Sequence, residues 1–236
     1  GAFKLRGAYN KIAGLSAAQR ERGLVAASSG NHAQGVAYAA SVFGLDQQTT
    51  IFMPESTPAT KIKRTQRFGK VGVQLVAGTF DDARAQAHDL ADETGATFIE
   101  PYNDLDIIAG QSTIGLEIMQ DAPQTDVIIS PVGGGGLISG IALAAHGINP
   151  DVQIYGVGAN YRYRSGATVA DGIRVKHPGD LTQPVIDRHV HDLVRVDEDA
   201  IEDAVSDLMQ TSHVVAEGAG AVGLAALTKS LLRFTQ

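Results

Sequence analysis

The stretch G-A-F-K-L-R-G-A-Y-N sets a lysine, Lys4, between two large apolar side chains, Phe3 and Leu5. Taken alone, it is either a surface amine near a chain end or an amine to be buried and used. S-S-G-N-H, Ser28 to His32, gathers two hydroxyls, an amide and an imidazole on a small-residue turn. Amides at a helix start there would suit a carboxylate or a phosphate, while a plain helix cap would use the same residue types. The third stretch is P-V-G-G-G-G-L, Pro131 to Leu137. Each glycine costs roughly 0.5–1 kcal/mol relative to alanine in regular structure, and a simple turn needs only one or two. Four in a row leave a run of unshielded backbone N–H groups able to wrap a phosphate, with the following helix dipole aligned on it. The spacing is neither G-x-x-x-x-G-K-[ST] nor a G-x-G-x-x-G with a correctly placed acidic residue. It therefore reads as a phosphate site without a nucleotide.

Other candidates carry less. A-D-G-I at Ala170 to Ile173 and A-E-G-A-G-A at Ala216 to Ala221 read as packing turns. His189 and His191 invite a metal, but their i, i+2 spacing shares a face only on a strand, and no third ligand stands out, so no metal is expected. No G-x-S-x-G elbow is present, which disfavours a serine hydrolase.

The elements that must position these groups alternate almost from end to end. Strands are expected at 24–29, 49–54, 71–78, 96–102, 126–132, 152–158 and 192–196. Helices are expected at 33–44, around 57–69, at 79–95, 107–120 and 137–147, from Asp197, and from Ala219. Thr79 and Asp82 have capping-box spacing. Phe80, Ala83, Ala87, Leu90 and Ala91 then form an apolar stripe, and Gly95 supplies the stop. Strands alternating with crossover helices imply an α/β protein with a parallel sheet covered on both faces. Ligands of such sheets bind beyond the carboxyl ends of the strands, where the Ser28–His32 and Pro131–Leu137 loops fall.

Composition narrows the partners. The net charge of -7, without a basic block, argues against nucleic acid and against an anionic membrane. With no cysteines, disulfide frameworks and thiolate metal sites are excluded. Neither a signal peptide nor a bilayer-length apolar run is visible, so a cytoplasmic protein is expected.

Taken in order, G-A-F-K-L-R-G-A, S-S-G-N-H-A-Q-G-V-A, M-P-E-S-T-P, A-G-Q-S-T-I-G-L-E-I, P-V-G-G-G-G-L-I-S-G and A-D-G-I-R-V-K closely resemble the threonine/serine dehydratases. These are fold-type II pyridoxal phosphate enzymes, related to serine racemase and more distantly to threonine synthase. The resemblance runs almost the whole length. It implies two parallel-sheet α/β domains of the tryptophan-synthase-β-like type: a small one at 23–101 and a discontinuous cofactor-binding one at 1–22 and 102–236, with the site in the cleft between them.

The resemblance also implies roles. Lys4 would form an imine with pyridoxal 5'-phosphate and shuttle the substrate α-proton, and Phe3 would pack against the ring. Gly133, Gly134, Gly135 and Gly136, with Leu137, would bind the phosphate, and Asn31 would contact the ring hydroxyl. Ser28, Ser29, Gly30, Asn31 and His32 would receive the substrate carboxylate. In racemase-like members the serine matching Ser29 is a second acid/base. The physical chemistry agrees: desolvation between Phe3 and Leu5 would lower the pKa of Lys4 and free its amine as a nucleophile. The implied reaction is dehydration and deamination of L-threonine or L-serine to a 2-oxo acid and ammonia. Alternatives are a serine or aspartate racemase, a 3-hydroxyaspartate ammonia-lyase, or a truncated cofactor-binding protein without activity. A dimer or tetramer is implied.

Three departures stand against the pattern. The chain begins almost at Lys4 and ends at L-L-R-F-T-Q, before the S-G-G-N stretch whose serine faces the pyridine nitrogen in relatives, so the chain reads as incomplete at both ends. The segment before A-D-G-I is also short and lacks the acidic residues that some relatives use for a divalent cation. Arg162 and Arg164 within it read as exposed loop charges.

Overall fold

The computed structural model describes residues 2–159, 168–175 and 177–234; Arg162 and Arg164 lie outside the described residues. Contacts divide the chain into two compact units, Gly1–Gln111 and Ser112–Gln236. The division drawn from sequence placed its boundaries at 23 and 101 instead.

In the first unit, helices α1 (Lys4–Ala13) and α2 (Ala17–Glu21) precede strand β1 (Leu24–Ala27). Helix α3 (Asn31–Val42), strand β2 (Thr49–Pro54), helix α4 (Ala59–Gln66), strand β3 (Gly72–Val76), helix α5 (Phe80–Thr94) and strand β4 (Thr97–Phe98) follow. The sheet order is β3-β2-β1-β4 with every pair parallel. Alternation along β1 explains its four consecutive apolar residues. Leu24 and Ala26 enter a core shared with Ala8 and Ile12 of α1 and Val36 and Ala40 of α3. Val25 and Ala27 enter a second core with Ala83, Ala87 and Ala91 of α5. Strands buried on both faces read as continuous apolar runs, as here.

The Thr79 capping box forms, with Thr79 Oγ1 accepting from the Asp82 amide and Asp82 accepting from the Thr79 amide. Gly95 ends α5 in the left-handed region at φ 70. Phe80 departs from the expected stripe: at the first turn it stays 41% exposed, while the alanines below it are buried. Strand β4 spans two residues rather than the expected seven.

Helix α6 (Leu105–Asp121) carries the chain across the division at Gln111. In the second unit come strand β5 (Val127–Pro131), helix α7 (Gly136–Ile148), strand β6 (Gln153–Ala159), helix α8 (Gln183–His189), strand β7 (Asp192–Val196), helix α9 (Glu198–Thr211) and helix α10 (Gly218–Thr228). The order β5-β6-β7 is again parallel throughout. Ile154 of β6 packs with Ile138, Ile141 and Ala142 of α7, and Tyr155 and Val157 with Ile201 of α9 and Val222 of α10.

Candidate active site

The order β3-β2-β1-β4 contains a reversal: from β1 the chain moves outward to β2 and β3, then returns to pair β4 on the other side of β1. Loops leaving the carboxyl ends of β1 and β4 diverge at such a point and open a crevice, the usual ligand position in an open parallel sheet. The β1 loop is Ser28–Gly30, running into Asn31 and His32 of α3; the segment after β4 is Ile99–Pro101. His32 joins the two, with Nε2 2.8 Å from the Ile99 carbonyl oxygen. Lys4 reaches the same segment, its Nζ donating to the Pro101 carbonyl at 2.6 Å.

Packing fixes Lys4 there. A Cβ on Gly35 of α3 would come within 3.1 Å of the Lys4 carbonyl carbon and of the Leu5 nitrogen, so the glycine lets α3 lie closely on the first turn of α1. Further along α1, Lys11 Nζ pairs with Asp104 at 2.7 Å and Asp106 at 2.9 Å. The Lys4 amine sits 5.3 Å from the Phe3 ring centroid and 6.0 Å from that of Tyr102. Burial is the cause that lowers the Lys4 pKa, to about 8, so about a tenth of the amine is neutral at pH 7, far more than for an ordinary lysine. His32 is 3% exposed, and burial, followed by the Lys4 charge, pushes its pKa down to about 3. It is a neutral ring in the folded protein, and its Nε2–H donates to Ile99.

The Ser28–His32 turn is not a simple cap. Gly30 occupies the N-cap of α3 and no side chain caps the helix. Ser28 Oγ accepts from the Gly30 amide at 3.2 Å, which shapes the turn itself. Ser28, Ser29, Gly30 and Asn31 are all partly exposed, as a ligand-receiving loop requires.

The tetraglycine loop belongs to the second unit and joins β5 to α7. Gly135, the N-cap of α7, is left-handed at φ 90, and no side chain caps this helix either. A Cβ at Gly135 would stand 2.7 Å from Thr182 Oγ1, and one at Gly133 would stand 3.0 Å from the Ile173 Cα. Thr182 Oγ1 donates to the Gly134 carbonyl at 2.7 Å, and the Gly179 amide donates to the same oxygen at 3.3 Å. In a planar trans peptide the N–H points opposite to the C=O. Tying the Gly134 carbonyl to Thr182 therefore turns the Gly135 N–H the other way, at the start of an uncapped helix, which is the donor set a phosphate takes. Leu137 follows in the first turn of α7 and is partly buried.

A model for pyridoxal-phosphate dependent enzymes matches residues 1–235. The chain belongs to that family. It is 49% identical over 245 residues to an L-threonine ammonia-lyase of Thermotoga maritima, covering 98% of this chain and 60% of that one. It is 44% identical over 241 residues to a catabolic L-threonine dehydratase of Staphylococcus aureus, covering 96% and 69%. The structure of maize serine racemase superposes with TM-score 0.90 at 38% identity, over 96% of this chain and 72% of that one. The chain thus spans about 60% of the length of the Thermotoga relative.

The cofactor named by the family needs an amine nucleophile and a phosphate cradle. The residues fit those needs: the Lys4 amine is desolvated, and the glycine loop has no room for a Cβ at Gly135. Sequence reasoning missed four participants: the Pro101 and Ile99 carbonyls, the Tyr102 ring and the Thr182 hydroxyl. The first three follow directly on β4 in F-I-E-P-Y, where position after a strand was the available signal. Thr182 lies 48 residues from its partner Gly134, and nothing local marks it. His189 ends helix α8 whereas His191 precedes β7, so the strand geometry that would have paired them is absent. Among the described residues no three His, Cys, Asp or Glu side chains are grouped to hold a metal ion, and no helix is long and apolar enough to cross a membrane.

Proposed function

We propose that this protein dehydrates and deaminates L-threonine or L-serine to a 2-oxo acid and ammonia. The observation that carries this reading is the desolvated Lys4 amine at the β1/β4 switch point, with its pKa lowered to about 8. Phe3, Lys4 and Asn31 would hold the ring of the cofactor, and Gly133, Gly134, Gly135, Gly136 and Leu137 its phosphate. When bound, pyridoxal phosphate supplies an electron sink for a carbanion next to the amino group. Lys4 Nζ takes the substrate α-proton, for which a neutral amine in a water-poor setting is suited. The Ser28–His32 turn takes the substrate carboxylate with backbone amides and hydroxyls. His32, held neutral, adds no charge to that loop and pins it to Ile99.

Support for this substrate class comes from the relatives named for L-threonine, at 49% and 44% identity. Ser29, at the mouth of the loop after β1, favours a second reading as a serine or aspartate racemase, with Ser29 as the opposing acid/base. The likeness to maize serine racemase points the same way. A homo-oligomer, dimer or tetramer, acting in the cytoplasm on a small amino acid completes the proposal, and the family resemblance is its support.

Product analysis with L-threonine and L-serine, in the presence of pyridoxal phosphate, tests the reading. A 2-oxo acid and ammonia in equal amounts from the parent, and neither from Lys4→Ala, are expected. D-serine formed without pyruvate would replace the lyase with the racemase, and turnover surviving Lys4→Ala would refute both.

A further inference from the structure

Between β4 and α6 the chain runs from Ile99 to Asp104 outside helix and strand, yet it sets the Pro101 carbonyl 2.6 Å from Lys4 Nζ. Tethers along the segment account for that placement. At its start the Ile99 amide donates to the Val25 carbonyl at 2.8 Å, and His32 takes the Ile99 carbonyl. Next, Arg84 Nη2 donates to Glu100 Oε1 at 2.8 Å. At the far end the tether comes from α1 itself. Lys11 follows Lys4 by seven residues, about two helical turns, so both side chains leave the same face of α1. Lys11 Nζ donates to Asp104 Oδ2 at 2.7 Å and to Asp106 Oδ2 at 2.9 Å. Asp104 serves twice, since its Oδ1 accepts from the amides of Asp106 at 2.8 Å and Ile107 at 3.1 Å and so caps α6. The Lys11 and Asp104 side chains are only 19% and 18% exposed, whereas Asp106 is 56% exposed, so the Asp104 arm is the shielded one. Around this pair the two helices are close: Asn10 Nδ2 donates to the Asp106 carbonyl at 2.7 Å, and a Cβ on Gly7 would stand 2.9 Å from the Ile107 carbonyl oxygen.

We propose that the Lys11–Asp104 pair is a clamp that positions Lys4, holding the segment 101–104 against α1 so that the Pro101 carbonyl covers Lys4 Nζ and water is kept from it. The proposal rests on the reading of Lys4 as the reacting amine, and it makes Lys11 and Asp104 positioning residues. Lys11 keeps its charge: burial works against it, but hydrogen bonds to Asp104 and Asp106 and their charges outweigh burial and raise its pKa. Removing one partner of a shielded pair leaves the other charge unmatched, so the clamp opens when either side is lost. An opened clamp admits water to the Lys4 amine, and its pKa climbs from about 8 back toward 10.5. The titratable groups facing Lys4 are His32 of α3 and Tyr102. Burial lowers the first to about 3 and pushes the second above its ordinary 10, so neither changes charge near pH 8.

The sign of the effect separates a clamp from a simple charge. Asp104→Asn keeps a side-chain oxygen to cap α6, because Asn caps about as well as Asp, but it offers Lys11 no charge to hold. Loss of a negative charge would by itself lower the Lys4 pKa, whereas an opened clamp raises it. Competitive acetylation of the whole, cofactor-free chain with acetic anhydride across pH, read at Lys4 by mass spectrometry, gives the midpoint without any turnover. The parent is expected near 8. Asp104→Asn and Lys11→Met are expected to move the midpoint up by about half a unit or more, roughly a threefold loss of neutral amine at pH 7. Asp106→Asn, which leaves the shielded arm in place, should not raise it. With the parent near 8, an unchanged or lowered midpoint in Asp104→Asn or Lys11→Met, or an equal rise in Asp106→Asn, would overturn the clamp and leave the assignment of Lys4 standing. A parent midpoint near 10.5 would overturn both.

Discussion

Lys4, partly buried with its amine desolvated, and the fully buried His32 are two bases within one crevice, and desolvation moves both toward their neutral forms. For Lys4 the consequence is reactivity. With a pKa of about 8, its nucleophilic fraction rises as pH rises through 8 and levels off above it, instead of continuing to rise toward the ordinary value of 10.5. The rate at which added pyridoxal phosphate becomes fixed to Lys4 by borohydride should follow that curve; a rate still rising steeply at pH 10 would contradict the desolvation. For His32 the consequence is stability. Its folded pKa of about 3 lies below the unfolded 6.5, so between these values the unfolded chain binds more protons. Stability is therefore complete above 6.5 and is lost as pH falls toward 3. Urea midpoints at pH 7 and pH 4 should differ less in His32→Gln than in the parent, and an equal difference would remove His32 from the account. Sequence alone left Lys4 between surface and site, because Phe3 and Leu5 promise apolar neighbours without saying what covers the amine. The answer came from Pro101 and Tyr102, about a hundred residues away.

At the scale of elements, the proposed phosphate cradle rests on the left-handed Gly135 and on Thr182. Gly135→Ala would cost about 1–2 kcal/mol for the backbone conformation alone, and its Cβ would also collide with Thr182 Oγ1. Its melting temperature should fall, and its preference for pyridoxal phosphate over pyridoxal should fall at least tenfold. A preserved preference would mean that this loop does not hold the phosphate. Thr182→Val would remove a donor from a buried carbonyl, a change worth roughly 1–3 kcal/mol when the acceptor is left short. It should lower the melting temperature less than Gly135→Ala, since the Gly179 amide still reaches the Gly134 oxygen; an equal or larger fall would contradict that shared bonding. Most strands were legible as short continuous apolar runs, and most helices by apolar positions at period 3.6. Helices α1, α2 and α8 were not. The buried face of α1 is only Gly7, Ala8 and Ile12, α8 buries Ile186 alone and α2 buries nothing, so none writes a clear apolar stripe.

At the scale of the molecule, alternation of strands and helices is a local signal, and it correctly yields parallel sheets covered on both faces. Strand order is not local. Nothing in T-F-I-E-P marks β4 for the far side of β1, yet that placement creates the switch point where Lys4, His32 and the β1 loop converge. The division between units falls at Gln111, inside α6, where the helical pattern runs on without a change in composition. A boundary of that kind leaves no trace in the chain. The glycine loop, in contrast, was legible at once, since four glycines exceed what any turn requires. The proposed chemistry depends on one amine in one place. Incubation with pyridoxal phosphate, reduction with borohydride and peptide mapping should put the reduced cofactor on Lys4. Labelling of Lys63, Lys70 or another exposed lysine with Lys4 unmodified would contradict it.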